Sequence, residues 1–166
     1  MKSKISLVFL IFFNISILAQ SDLQIISSDQ RSILLEFVPV YTDTSLSIFD
    51  NQSFYSYDFV NSYLPIAEEN GLPIQRERRF NLGVPDENGN AIEILSTESI
   101  ERTGELLPYP KMMKDGDFNI SKYEKSNEYS SFKPEYELVS FGDFGFVRDL
   151  PVQTFIIRPI QFDPSI

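Results

Sequence analysis

A chain of 166 residues with 24 acidic and 14 basic side chains carries a net charge of −10. That balance repels phosphate backbones and anionic membranes and argues against nucleic-acid binding. The chain has no cysteine and no histidine, which removes thiolate nucleophiles, Ser–His–Asp machinery and imidazole zinc sites and leaves only carboxylate or Ser–Lys chemistry to weigh.

Met1-Lys2-Ser3-Lys4 supplies a positive start, Ile5 to Phe13 is almost wholly apolar, and Ile17-Leu18-Ala19-Gln20 precedes polar sequence. This order predicts a secretory signal peptide over 1–20, cut near Ala19 or Gln20. Asn14 and Ser16 interrupt the run, which falls short of the roughly 20 apolar residues that span a bilayer. No later segment is long and apolar enough to span either. Residues 21–166 are expected to form one exported domain, in the periplasm, at the outer-membrane surface or secreted. Losing Lys2 and Lys4 takes its charge to −12, with 12 basic and 24 acidic side chains. An acidic surface of this kind chiefly keeps an exported protein soluble. Without disulfides, its stability must come from its core.

Fifteen Phe and eight Tyr, no Trp and ten Pro favour strands and turns. Ser32 to Val38 reads as the first strand, ended by Pro39. Leu46 to Phe49, Asp50-Asn51 and Ser53 to Phe59 read as a hairpin with aromatic cross-strand pairs. Leu64 to Pro73 is a connector and Ile74 to Val84 is extended again. Asp86 to Asn90 reads as a tight turn, from which Ala91 to Leu95 returns as a strand. Leu106-Leu107-Pro108-Tyr109-Pro110 is a stiff, polyproline-like exit into a loose region from Lys111 to Lys133. Tyr136 to Phe141 is a strand, Gly142-Asp143-Phe144-Gly145 a turn, and Val152 to Phe162 the closing strand before an Asp163-Pro164 turn. The expected fold is all-β: a β-sandwich of antiparallel strands with one long variable loop. The closing strand has nothing after it to pair with. The reading is therefore of a chain truncated at its C-terminus, with Thr154 to Phe162 left as an apolar edge.

Candidate chemistry is sparse, and neither a metal nor a cofactor is expected. Asp86-x-Asn88-x-Asn90 and Asp115-x-Asp117-x-Asn119 place oxygens at alternate positions, as a calcium loop does. Both lack Gly at the sixth position and Glu at the twelfth, where Thr97 and Ser126 stand. Arg76-Glu77-Arg78-Arg79 could pair with acids or bind an anion, but reads first as a solvated strand face guarding an edge. Phe54, Tyr55, Tyr57 and Phe59 could stack on a sugar, though half of these rings are expected in the core. No pair of acids sits where one would be buried and the other exposed, so no catalytic residue is assigned and no enzyme is expected of this chain.

Three segments carry a resemblance. "GLPIQRERRFNLGVP" at 71–85, "LLPYPK" at 106–111 and "FKPEYELVSFGDFGFVRDLPVQTFIIRPIQFDP" at 132–164 together resemble the N-terminal propeptide of gingipain-type cysteine peptidases. The resemblance spans residues 32 to 164. It implies a β-sandwich exported by Bacteroidetes-type bacteria, often by type IX secretion, whose members include the sortase of that system. It also implies a caspase-like peptidase catalytic domain in cis that carries the His and Cys. The propeptide would assist that domain's folding and hold it latent, by a loop presenting a Lys or Arg to the specificity pocket. Lys111, Lys114, Lys122 and Lys125 are on offer, and Lys114-Asp115-Gly116 is the inhibitory-loop candidate. One departure is Ile74-Gln75 after Pro73, where the family usually has Leu-Pro. The alternative is a stand-alone exported β-sandwich binding module for glycan or a surface protein.

Overall fold

The computed structural model describes residues 21–49, 51–65, 70–115, 118–133 and 137–164, with backbone only for 113–115 and 118–120. It divides into two compact units, one ending at Phe37 and one beginning at Val38.

The first unit is an antiparallel pair, β1 (Leu23–Ser28) and β2 (Ile33–Phe37). Asp29 closes its turn: one carboxylate oxygen accepts the backbone N–H of Arg31 at 2.7 Å and of Ser32 at 2.8 Å. Those bonds hold the Asp29 carboxyl below its usual range. The sequence reading finds β2 but not β1. A bulge between Ile25 and Ser27 breaks the two-residue alternation by which strands are recognised.

The second unit is the sandwich. β3 (Tyr41–Phe49) and β4 (Gln52–Phe59) form the expected hairpin, with Asn51 at φ 62° in its two-residue loop. β4 is flanked on its other side by the short β7 (Glu105–Leu106). That short pairing is parallel, while the longer strand pairs are antiparallel as expected. A second sheet has the order β10 (Val139–Val147), β11 (Leu150–Ile157), β6 (Glu77–Gly83), β5 (Ser62–Tyr63), all antiparallel. β8 (Lys111–Asp115) and β9 (Phe118–Lys122) make a separate hairpin, followed by a 3-10 turn at Tyr129–Ser131.

Four expectations need correction. The region 111–133 is not one loose loop, because β8 and β9 pair over five residues a side. Residues 142–145 are not a turn: β10 runs through them with a bulge between Phe141 and Phe144. The buried Gln153 amide donates to the bulge carbonyls of Gly142 at 2.8 Å and Asp143 at 3.3 Å. The chain reverses instead at Arg148-Asp149, with Arg148 at φ 59°. Ala91 to Leu95 forms no strand. The Asp86 turn is closed by its own groups, Asn90 Nδ2 donating to the Asp86 carbonyl at 2.7 Å and Glu87 N–H to its side chain at 2.6 Å. Positive φ falls on Gly89. Finally, Thr154 to Phe162 is no apolar edge. β11 ends at Ile157 and lies between β10 and β6, in the interior of its sheet.

Burial concentrates around the two sheets. Leu106, Tyr129 and Phe162 form a buried cluster, with Tyr57, Phe132 and Ile160 against it. Phe54 and Phe59 are buried on β4, while Ile156 and Ile157 are buried on β11. Among the described residues no helix is long and apolar enough to cross a membrane.

Candidate functional site

The β8–β9 hairpin is the element on which the loop candidate falls, and its root is built with care. Tyr109 lies just before it and Ser126 just after, and both are tied to one glycine. Gly71 N–H donates to the Tyr109 carbonyl at 2.9 Å, and the Gly71 carbonyl accepts Ser126 N–H at 3.0 Å. Gly71 sits at φ +87°, and an added Cβ would stand 2.6 Å from Ser126 N and 2.8 Å from the Glu124 carbonyl oxygen. Only glycine offers both the conformation and the room. The supposedly stiff exit is likewise paired rather than free. Tyr109 N–H donates to Leu72 O and Ile74 N–H to Leu107 O, both at 2.8 Å, around a Pro73–Pro108 bridge. The Tyr109 hydroxyl reaches the Pro65 carbonyl at 2.9 Å.

Side chains lock the same root. Lys125 Nζ lies 2.5 Å from Glu105 and over the rings of Phe54 and Tyr129, at 5.4 and 5.1 Å from their centroids. Tyr123 stacks on Phe49 at 4.7 Å. Tyr129 is almost wholly buried and donates its hydroxyl to the Leu106 carbonyl. Burial, and then the Glu105 charge, push the Tyr129 hydroxyl pKa well above its ordinary value, against the opposing effect of the Leu106 bond.

The four lysines divide on this geometry. Lys125 is committed to Glu105 and two rings, and Lys122 pairs with Glu124. Both serve the root. Lys111 is exposed at the start of β8, in register with Lys122. Lys114 and Asp115 lie on β8 in register with Asn119 and Phe118, next to the hairpin's tip. Their side chains, and Gly116 entirely, lie outside the described residues.

The other candidates resolve into structure. Arg76 pairs with Asp58 on β4. Glu77, 3% exposed, holds Arg79 at 2.5 Å and Arg158 at 3.2 Å. The Arg79 guanidinium also covers the Tyr63 ring at 4.2 Å. The run thus divides: Arg76 is paired with Asp58, and Arg79, still 41% exposed, is paired with the buried Glu77, which Arg158 from β11's end also holds. Of the four rings on β4, Phe54 and Phe59 are buried. Tyr55 and Tyr57 stack on each other at 6.2 Å, and Tyr41 meets Tyr57 edge-on. Asp86 is occupied by its own turn, and the second calcium-like stretch falls on side chains outside the described residues. Among the described residues no three His, Cys, Asp or Glu side chains converge as metal ligands. Gly71 is the residue that sequence reasoning missed. Asn70-Gly71 was its signal, a dipeptide that favours positive φ.

This all-β arrangement has counterparts among solved structures, and its fold is that of a gingipain propeptide-like domain. The chain is similar to one in a complex of Porphyromonas gingivalis RgpB pro- and mature domains, with TM-score 0.73 and 19% identity over 87% of this chain and 76% of that one. It is also similar to gingipain K from Porphyromonas gingivalis, in a structure concerned with zymogenic latency. There the TM-score is 0.55 and the identity 15%, over 86% of this chain and 82% of that one. No protein-family model and no curated protein sequence matches.

Proposed function

We propose that this chain is the non-catalytic prodomain of an exported gingipain-like cysteine peptidase, assisting the folding of a caspase-like catalytic domain in cis and holding it latent. The observation that carries the reading is the β8–β9 hairpin. Its legs are fixed by backbone bonds to Gly71 and by Lys125, while its strands run on from that root. A rigid root lowers the entropy lost when a tip enters a cleft. The likeness of fold to a pro- and mature-domain complex and to a latency structure supports the same reading. The absence of Cys and His leaves the peptidase chemistry to the partner domain. In this reading Lys114 is presented to the specificity pocket, with Asp115 and Gly116 shaping the tip. A lysine filling an acidic pocket is a single-residue anchor of the kind that dominates an interface.

The test is inhibition of the cognate mature peptidase by the protein and by Lys114→Ala, with Lys111→Ala as control. The inhibition constant is expected to rise at least tenfold for Lys114→Ala and to stay within about twofold for Lys111→Ala. Inhibition by Lys114→Ala equal to that of the parent would overturn the assignment.

A further inference from the structure

Among the described residues β3 is the outer strand of its sheet, with β4 on one side and no strand on the other. Its run Thr44-Ser45-Leu46-Ser47-Ile48-Phe49 contains no charge and no proline. It stays in unbroken register with β4, since the strand's bulge lies before it, between Tyr41 and Asp43. Folded proteins ordinarily blunt such an edge with lysine, proline, a bulge or brevity. The other edges here follow that habit. β10 carries Asp143 within a bulge, β5 and β7 have two residues each, and β8 begins and ends in charge. No other edge strand among the described residues presents six uncharged residues in unbroken register.

Which backbone groups face outward follows from one hydrogen bond. The Tyr55 carbonyl accepts Leu107 N–H at 2.9 Å, on the β7 side of β4. Opposed residues of an antiparallel pair either exchange both bonds or neither. Leu46, opposite Tyr55, therefore points its N–H and C=O away from β4, and so do Thr44 and Ile48 by alternation. The same residues expose apolar side chains, Leu46 at 54% and Ile48 at 67%.

We infer that this edge takes the same edge of a second copy of the chain, antiparallel about a two-fold axis at Ser47. That register sets Leu46 against Ile48 of the other copy and Ile48 against its Leu46. All four carry outward-facing backbone groups, so each pair can exchange two bonds. It also joins four exposed aliphatic side chains into one patch. A chain of net charge −10 repels its copy over most of its surface, and this uncharged run is where two copies can approach with little repulsion. The interface is a single strand on each side, below the roughly 1,000 Å² of a stable complex. Association is therefore reversible and sets in at concentrations on the order of 100 μM.

Sedimentation equilibrium of the protein from about 10 μM to 1 mM, with two variants, reads this out. Leu46→Pro deletes an outward N–H without touching the β4 ladder, as proline on an edge can. Ile48→Lys puts a charge into the patch. The parent is expected to approach twice the monomer mass as concentration rises, and both variants, checked for parent-like circular dichroism, to remain monomers. Ser47→Cys, the sole thiol in a cysteine-free chain, would face its own copy at about 4.5 Å between Cα atoms, within disulfide reach. It is expected to crosslink at least tenfold faster than Ser45→Cys under the same oxidant. A parent that stays monomeric, a dimer that survives in both variants, or equal crosslinking rates would each overturn the inference. So would an edge that becomes protected only when a mature peptidase is added, since the occupant would then be the peptidase.

Discussion

The two sheets of the sandwich are held together by different interactions. The β10-β11-β6-β5 sheet buries polar groups: Glu77 between Arg79 and Arg158, and Gln153 over the β10 bulge. The β3-β4-β7 sheet buries rings, with Phe54 and Phe59 inside and Tyr129 and Phe162 packed beside Leu106. A ring-packed layer loses stability in proportion to the surface taken away. A buried ion network holds only while it is complete, because whatever remains after a deletion is left charged and dry. One sheet should therefore fail abruptly and the other by degrees.

The sharpest test of that contrast, and the largest expected effect, is Glu77→Ala. Removing the carboxylate takes an ion-pair partner from Arg79, whose side chain is 41% exposed, and from the largely buried Arg158, which keeps its bond to Ser140 at 2.8 Å. The cost expected for breaking a buried ion network is about 3–5 kcal/mol. Denaturant unfolding should show a midpoint shift of that size at unchanged slope. A loss below about 1 kcal/mol, the range of surface pairs, would mean that the network contributes nothing special and would dissolve the contrast.

How much of this was legible depended on how local the cause was. The β3–β4 hairpin was legible because Asp50-Asn51 sits between two alternating runs, and β6 and β11 because their patterns are dense. What failed depended on distant partners. Gly142 and Gly145 look like a turn until Gln153, across the hairpin, satisfies the bulge carbonyls. Ala91 to Leu95 alternates like a strand, yet Ile94 and Leu95 are exposed and no strand pairs with them. The polar composition of 111–133 suggested a loop, whereas β8 and β9 pair across it and Glu105 and two rings hold Lys125. Of the candidate hairpin, the sequence singled out the segment but not the glycine at its root. Gly71 matters through contacts with Tyr109 and Ser126, far along the chain.

Tyr129→Phe probes the ring-packed side with a smaller change. The ring stays and only the hydroxyl bond to Leu106 goes, which is expected to cost about 1–2 kcal/mol. The pH dependence separates this bond from simple packing. The Tyr129 pKa is raised in the fold above the ordinary tyrosine value of 10.0. Its contribution is therefore complete below the unfolded pKa and is lost as pH rises above about 10 toward the folded value. Melting temperatures at pH 8 and pH 11 should fall further for the parent than for Tyr129→Phe. Tyr41, raised mainly by its own burial, titrates in both proteins and cancels in the comparison. Equal falls would show that Tyr129 ionises as freely in the fold as out of it.

The smallest expected effect has the opposite sign and lies on the polar side. Gln75 is 7% exposed, just ahead of Glu77, and neither its amide oxygen nor its amide nitrogen has a hydrogen-bond partner among the described residues. It is also where the gingipain-type pattern usually has proline. Unlike Glu77, this group is buried without a network, so the rule that makes Glu77→Ala costly makes Gln75→Leu favourable. Leucine removes an unpaired amide whose burial costs about 1–3 kcal/mol and fills a similar volume. A gain of about 1 kcal/mol is expected, seen as a rise of a few degrees in melting temperature. A loss of the same size would mean that the amide is paired in solution. The polar sheet would then have no gap, and its stability would rest on a larger network than Glu77 and its two arginines.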